Sequence, residues 1–193
     1  MMSPWILESF KNKIKGIIMD FLNIANLRYS CRDFDPNRTV EKEKLQKIIE
    51  AGILSPSACN GQPYHFTVCE GEVAKKVAKC TTDVGINKFA YDVPVMLVIS
   101  EEPYTKMAAM GAKLKHNDYR SIDIGIASAY ITAEAAALGV DSCILGWIND
   151  EQIRKVCDIK GAARLVIALG YAKEPKLRPK KRKSLGEMVT FKK

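Results

Sequence analysis

The chain has 193 residues, 47% of them hydrophobic and 27% charged, which is enough for one globular domain or one tightly joined unit with a sizeable core. Its net charge of +8 is local: residues 173–193 hold nine basic and two acidic side chains, so only +1 belongs to the first 172, which argues against a broad phosphate-binding face. Two histidines exclude His-rich zinc sites, and six cysteines without a Cys-x-x-Cys pair fit neither a zinc ribbon nor an iron–sulfur run.

In chain order, Ile6, Leu7, Phe10, Ile14, Ile17, Ile18 and Phe21 repeat at helical spacing, an amphipathic helix that would dock on the body or a partner. Lys11, Lys13 and Lys15 stand where a signal peptide needs its apolar run, so a cytoplasmic protein with buried, reduced thiols is expected. Thr39 is the expected N-cap of a helix carrying Leu45, Ile48, Ile49 and Ile53, and Pro56 stops it. An ordered loop follows to Pro63. His65–Glu70 alternates as a strand, Glu72–Cys80 reads as a helix, and the apolar run Val93–Ser100 as a buried strand central to a sheet. Ser121 or Asp118 starts a long helix over Ile122–Leu138, whose Gly125, Ala129, Ala133, Ala136 and Ala137 would let another helix approach closely, and Gly139 closes it. Its apolar stretch is interrupted by Glu134 and is short for a membrane span. Cys143–Trp147 is a short apolar segment, Asn149–Gln152 opens a helix to about Cys157, Arg164–Leu169 is a last core strand, and Glu187–Phe191 reads as a short strand. Strands alternating with helices indicate α/β or α+β.

Two loops put unusual polar residues between apolar elements. Arg28-Tyr-Ser-Cys-Arg32 offers two guanidinium forks and a hydroxyl, suited to a phosphate and a second anionic or carbonyl group; a solvated basic loop is the competing reading. Pro56-Ser-Ala-Cys-Asn-Gly-Gln-Pro63 combines proline rigidity with amide side chains, which suits the polar edge of a planar ring system, although an ordinary loop has the same composition. Gly-x-Gly-x-x-Gly, P-loop and Gly-x-Ser-x-Gly fingerprints are missing.

Taken together and in order, these pieces resemble the nitroreductase family of flavin enzymes, which carries an Arg-x-Ser-x-Arg/Lys-x-Phe opening and then Pro-Ser-x-x-Asn-x-Gln-Pro ahead of a strand. Arg28–Phe34 and Pro56–Pro63 match, followed by Asp123 opening an Ala-rich helix, Leu138-Gly139, Cys143–Trp147, Leu169-Gly-Tyr171 and Lys180–Lys183. The resemblance covers residues 19–193 as one flavin domain and leaves 1–18 as an extension. It implies an α+β fold with a central mixed sheet flanked by helices, and a homodimer whose C-terminal arm is exchanged onto the partner. FMN would lie at the subunit interface. Arg28, Tyr29 and Ser30, with Lys180 and Arg182 from the tail, would form its phosphate end. Arg32 would lie near the ribityl chain and the flavin pyrimidine, and Pro56, Ser57, Ala58 and Asn60 would reach the cofactor across the interface. Backbone groups of Ile144, Leu145 and Gly146 would face flavin N5.

The implied activity is reduction of nitroaromatics, quinones or a related acceptor by NADH or NADPH in a ping-pong mechanism. It needs no side-chain nucleophile and no metal, because the cofactor carries the chemistry. Flavin reduction or metabolite dehydrogenation on the same fold, and nucleic-acid binding by the basic tail, are the alternatives. Trp147 and His65 are expected to be packed residues, and Tyr104 with Lys113–Asp118 to lie over the substrate.

Overall fold

The computed structural model describes residues 20–174 and 179–193. The amphipathic pattern expected over residues 6–18 lies outside them. Four strands, β1 (Tyr64–Glu70), β2 (Val95–Glu101), β3 (Asp141–Leu145) and β4 (Ala163–Gly170), form one sheet in the order β1-β2-β4-β3. Every neighbouring pair is antiparallel, so the expected mixed sheet is antiparallel; a parallel bridge, Ser30 to Ser142, joins it from outside the four strands. The α+β class stands. β2 is buried along Val95–Ser100, as a strand covered on both faces must be.

Among the described residues, seven α-helices surround the sheet: α1 (Phe21–Leu27), α2 (Lys42–Ile53), α3 (Gly71–Lys79), α4 (Lys106–Lys115), α5 (Tyr119–Ala137), α6 (Asp150–Cys157) and α7 (Leu185–Met188). Alternation along β2 divides the core. Val95, Leu97 and Ile99 face α2 and α5, with Ile48, Ile124, Ile131 and Ala135, whereas Met96 and Val98 face α3 and α6, with Val77 and Ile153. Gly52 lets α2 and α5 touch, since a Cβ there would lie 2.7 Å from Ile131 Cγ1. Of the small residues expected to admit another helix, Ala129 and Ala133 share a cleft with Phe21, Leu22 and Ala25 of α1 and Ala136 is buried, whereas a Cβ on Gly125 would meet nothing within 4 Å.

Local chemistry explains most of the boundaries. Asp118 caps α5 by accepting from the Ser121 N–H at 3.2 Å, and Asn149 caps α6 by accepting from the Gln152 N–H at 3.1 Å. Glu41, not Thr39, is the N-cap of α2, and its carboxylate turns instead to the Tyr171 hydroxyl. The expected strand at Glu187–Phe191 is replaced by α7, whose start is a capping box in which Ser184 and Glu187 satisfy each other's backbone. No helix among the described residues is long and apolar enough to cross a membrane.

Candidate functional site

α1 ends at Leu27, and Arg28, in extended conformation, turns the chain onto the open edge of β3. There the Cys31 N–H donates to the Ser142 carbonyl at 2.9 Å, which fixes the Arg28–Arg32 loop against the sheet. The tail returns to the same place, with the Lys180 ammonium donating to the Arg28 carbonyl. Arg28, Lys180 and Arg182 line one cleft of about 400 Å³, floored by Ala129, Thr132 and Ala133 of α5 and flanked by Phe21 and Leu22 of α1.

The electrostatics of this cleft are one-sided. Burial, and then the guanidiniums of Arg28 and Arg182, hold Lys180 below the ordinary lysine value, and no carboxylate offsets them. None of the three cations forms an ion pair among the described residues, although the Lys173, Arg154 and Arg164 ammonium and guanidinium groups all do. Three cations held together without an acid make a site for an anion. Arg32 lies outside the cleft, exposed, with its Nη1 donating to the Ser30 carbonyl at 3.4 Å. Both Arg28 and Arg32 act on the buried thiol of Cys143 next door, which burial pushes up. Tyr29 packs on the core beside Cys31.

Pro56–Asn60 lies elsewhere. Its loop forms a tight turn over Ala58–Asn60, in which Cys59, Asn60 and then Gln62 hold φ of 52°, 49° and 44°. The loop closes on itself through the Gln62 N–H to Ser57 Oγ at 2.9 Å. It is fastened to α5 by the Ala58 N–H, which donates to Asp123 Oδ1 at 3.1 Å. Asp123 and the cleft residue Thr132 are nine positions apart on one helix, roughly 14 Å along its axis. The two loops that the sequence singles out are therefore not adjacent within one chain.

Ile144, Leu145 and Gly146 end β3, which is the sheet's outer strand. Leu145 is buried toward α3 and α6; Ile144 lies on the other face and is 39% exposed. Gly146 is exposed, and a Cβ there would meet only Leu165, 3.8 Å away, so the backbone is open to a flat ligand. From Ser142, beside the cations, to Gly146 the strand runs roughly 13 Å. A ligand with an anionic end and a planar end spans that distance. Trp147, expected in the core, is 58% exposed because β3 ends at Leu145 and leaves it beyond the last pairing. His65 is likewise exposed, in a groove beside Glu101 and Arg120. Residue patterns also miss the apolar face of α4, where Met107, Met110 and Leu114 are 64%, 63% and 72% exposed; their spacing of three and four was the available signal.

The nitroreductase family model matches residues 25–171. Over 87% of this chain and 94% of the relative, the sequence is 24% identical to the oxygen-insensitive NADPH nitroreductase of Helicobacter pylori. The fold superposes on an FMN-dependent nitroreductase of Clostridium difficile R20291 with TM-score 0.72 and 26% identity, covering 89% of this chain and 99% of that one. A nitroreductase-fold structure from Exiguobacterium sibiricum, solved in complex with FMN, gives TM-score 0.73 at 19% identity, covering 90% and 98%. With three-quarters of its length inside the family model, the chain belongs to the nitroreductase family.

Proposed function

We propose that the protein is an FMN-dependent oxidoreductase that uses NAD(P)H to reduce nitroaromatics, quinones or a related acceptor. The observation that carries this reading is the acid-free cleft of Arg28, Lys180 and Arg182. Its residues fit a phosphate monoester: two guanidinium forks and an ammonium surround a space with no carboxylate to satisfy them. Bound FMN supplies two-electron redox chemistry at its ring, so the chain has to contribute position and charge.

Each residue's part follows from its place. Arg28, Lys180 and Arg182 bind the phosphate and relieve their own repulsion. Arg32, exposed next to the cleft, neutralises the negative charge of the reduced ring. Gly146 keeps the β3 edge free of a side chain, so that backbone groups meet the ring directly, while Ile144 and Trp147 shield it from water. NAD(P)H and the acceptor occupy the same opening in turn, which is the ping-pong order.

A homodimer completes the site. Supporting it, Pro56–Asn60 hangs at the start of β1 and Ile144–Gly146 at the end of β3, the two outer strands, separated by three strand spacings or roughly 14 Å. A second chain can bring its Pro56 loop to the first chain's β3. Ile122, Gly125, Ala129 and Tyr130 leave an exposed, largely apolar stripe along α5 on which two chains can pack. The exposed tail residues Leu185, Met188 and Phe191 suit an arm exchanged onto the partner.

The test is retention of FMN by the purified chain. The protein should carry flavin absorbance through desalting, bleach with NADH or NADPH, and recover on addition of a quinone or nitroaromatic. A preparation that stays colourless after loading with FMN overturns the reading. A chain that binds FMN but reoxidises only with free flavin supports the flavin-reductase alternative.

A further inference from the structure

The two carboxyl oxygens of Asp123 are treated differently. The residue is 3% exposed, and Oδ1 accepts from the Ala58 N–H at 3.1 Å, whereas Oδ2 is buried without a hydrogen-bond partner. A buried polar atom left unpaired destabilises the fold. Burial accordingly pushes the carboxyl up, with the Ala58 N–H pulling the other way. Stability does not account for an acid in this position.

What the acid holds is the crest of the Pro56–Gln62 loop. The two ends of that loop are fixed independently: Ser55 Oγ bonds the Tyr64 hydroxyl at 2.9 Å, and the Pro63 carbonyl accepts from the Glu102 N–H at 3.0 Å. Between them the bonds are internal, Asn60 N–H to the Ser57 carbonyl and Gly61 N–H to the Ala58 carbonyl, both at 3.0 Å. Ala58 to Asp123 is the hydrogen bond among the described residues that joins residues 57–61 to the rest of the fold. Cys59, Asn60 and Gln62 lie in the left-handed region without being glycine. Such backbone conformations are strained and persist only where the surroundings over-determine them. A crest braced only on itself would move as a body.

We propose that Asp123 is the positioning residue of the cofactor loop: by accepting the Ala58 N–H it fixes Pro56–Asn60 in the conformation that meets FMN. This rests on the FMN reading above, and its test separates the two.

Two readouts are taken on Asp123→Ala and Asp123→Asn: hydrogen–deuterium exchange over residues 56–63 in the FMN-free protein, and FMN affinity by titration. Asparagine keeps the oxygen that accepts from Ala58; alanine does not. Asp123→Ala should speed exchange in the loop and weaken FMN binding at least tenfold, while Asp123→Asn stays within threefold of the parent in both. Parent-like exchange and affinity in Asp123→Ala overturn the proposal, as does an asparagine variant as damaged as the alanine one. Should Asp123→Ala fail to fold, Ala58→Pro removes the donor from the loop side. Ser57, at φ −142° and ψ 157°, already has the extended backbone required before proline, and the first residue of a helical turn tolerates it. Ala58→Pro should reproduce the tenfold loss, and parent-like FMN affinity in it overturns the proposal. A parent protein that never binds FMN defeats the cofactor reading instead, and the exchange measurements still decide whether Asp123 holds the loop.

Discussion

Glu101, at the end of β2, gives one carboxylate oxygen to Arg120 and the other to Arg164, while at the opposite end of the sheet Arg28, Lys180 and Arg182 converge with no acid among the described residues. The first group is paired through a shared carboxylate, with Arg120 Nε left buried and without a hydrogen-bond partner. Arg164 Nη2 also donates to Ser121 Oγ at 2.7 Å, and the Arg120 guanidinium lies 4.3 Å above the Tyr104 ring, whose hydroxyl accepts from the Arg120 N–H and donates to Asp118. In the second group the hydrogen-bond partners among the described residues are backbone carbonyls, that of Arg28 for Lys180 and that of Lys181 for Arg182. Both are arginine clusters on one sheet. One spends its charge on the fold, and the other, in the function proposed above, keeps it for a ligand, so a shared carboxylate, not the number of cations, would tell a structural cluster from a binding one.

The largest effect expected from this contrast is on ligand binding. Arg28→Ala combined with Arg182→Ala should weaken FMN about 100-fold, some 2.7 kcal/mol, and leave the melting temperature of the FMN-free protein unchanged or slightly raised, because like charges have been removed. FMN titration and thermal melts check both halves. A parent-like affinity would mean that the cleft does not hold the phosphate.

At the carboxylate-bridged cluster the balance should reverse. Glu101→Ala leaves two guanidiniums facing each other at a half-buried site, between the large cost of breaking a buried pair and the small one of an exposed pair, about 2 kcal/mol. For a chain of this size that lowers the melting temperature by roughly 4–8 °C. FMN affinity per folded molecule should stay within a few-fold. A loss of FMN larger than the loss of stability would erase the distinction between the two groups.

Inorganic phosphate refines the same comparison without FMN. At ten times its dissociation constant it should stabilise the parent by about 1.4 kcal/mol, a melting shift of roughly 3–6 °C. The Arg28→Ala, Arg182→Ala protein should show only the small general effect of an excluded salt. Equal shifts in the two proteins would place the phosphate elsewhere.

How far the sequence foretold these two clusters differs, for physical reasons. The α2, α3, α5 and α6 segments are legible because their apolar residues recur at helical spacing, and β2 and β4 because they are apolar runs buried nearly throughout, while Asp118, Asn149 and Pro56 punctuate the chain as local chemistry requires. Arg28 and Lys180 are 152 positions apart. No local period links them, and of the nine bases in the last 21 residues nothing but family resemblance singled out Lys180 and Arg182. Asp123 was visible as an acid between Ile122 and Ile124, yet its partner is a backbone N–H, which every loop residue except proline offers. In contrast, α7 was readable: Ser184 and Glu187 have capping-box spacing, and β-propensity at Val189 and Phe191 masked it. Trp147 was misplaced because an apolar run does not reveal where β3 leaves the sheet: pairing ends at Leu145 with Val166, although β4 continues to Ala163.

The smallest effect concerns a third group, in which cations and an acid again share a structural duty. The Tyr171 hydroxyl donates to Glu41, the Lys44 ammonium donates to Tyr171 at 2.9 Å, and the Arg38 guanidinium lies 3.4 Å above the Tyr171 ring. Hydrogen bonding from Tyr171, then from backbone, lowers Glu41 from 4.5 to about 2. Its folded-state value thus lies below its unfolded one, so the stabilisation is complete above pH 4.5 and is lost as the pH falls through about 2. Since the Glu41 side chain is half exposed, screening by water reduces the effect to a few tenths of a kcal/mol. Glu41→Gln should flatten the acid limb of the stability curve by that amount and leave it unchanged at neutral pH apart from the lost bond. The cleft behaves inversely: with Lys180 held below the ordinary 10.5, its charge penalty is present at neutral pH and is relieved as pH rises toward that value, or when an anion binds. Chemical denaturation across both limbs therefore separates these two groups by sign, the Glu41 group weakening toward low pH and the Lys180 cleft strengthening toward high pH. A basic limb that did not change on Lys180→Met would show that its neighbours' charge is already neutralised.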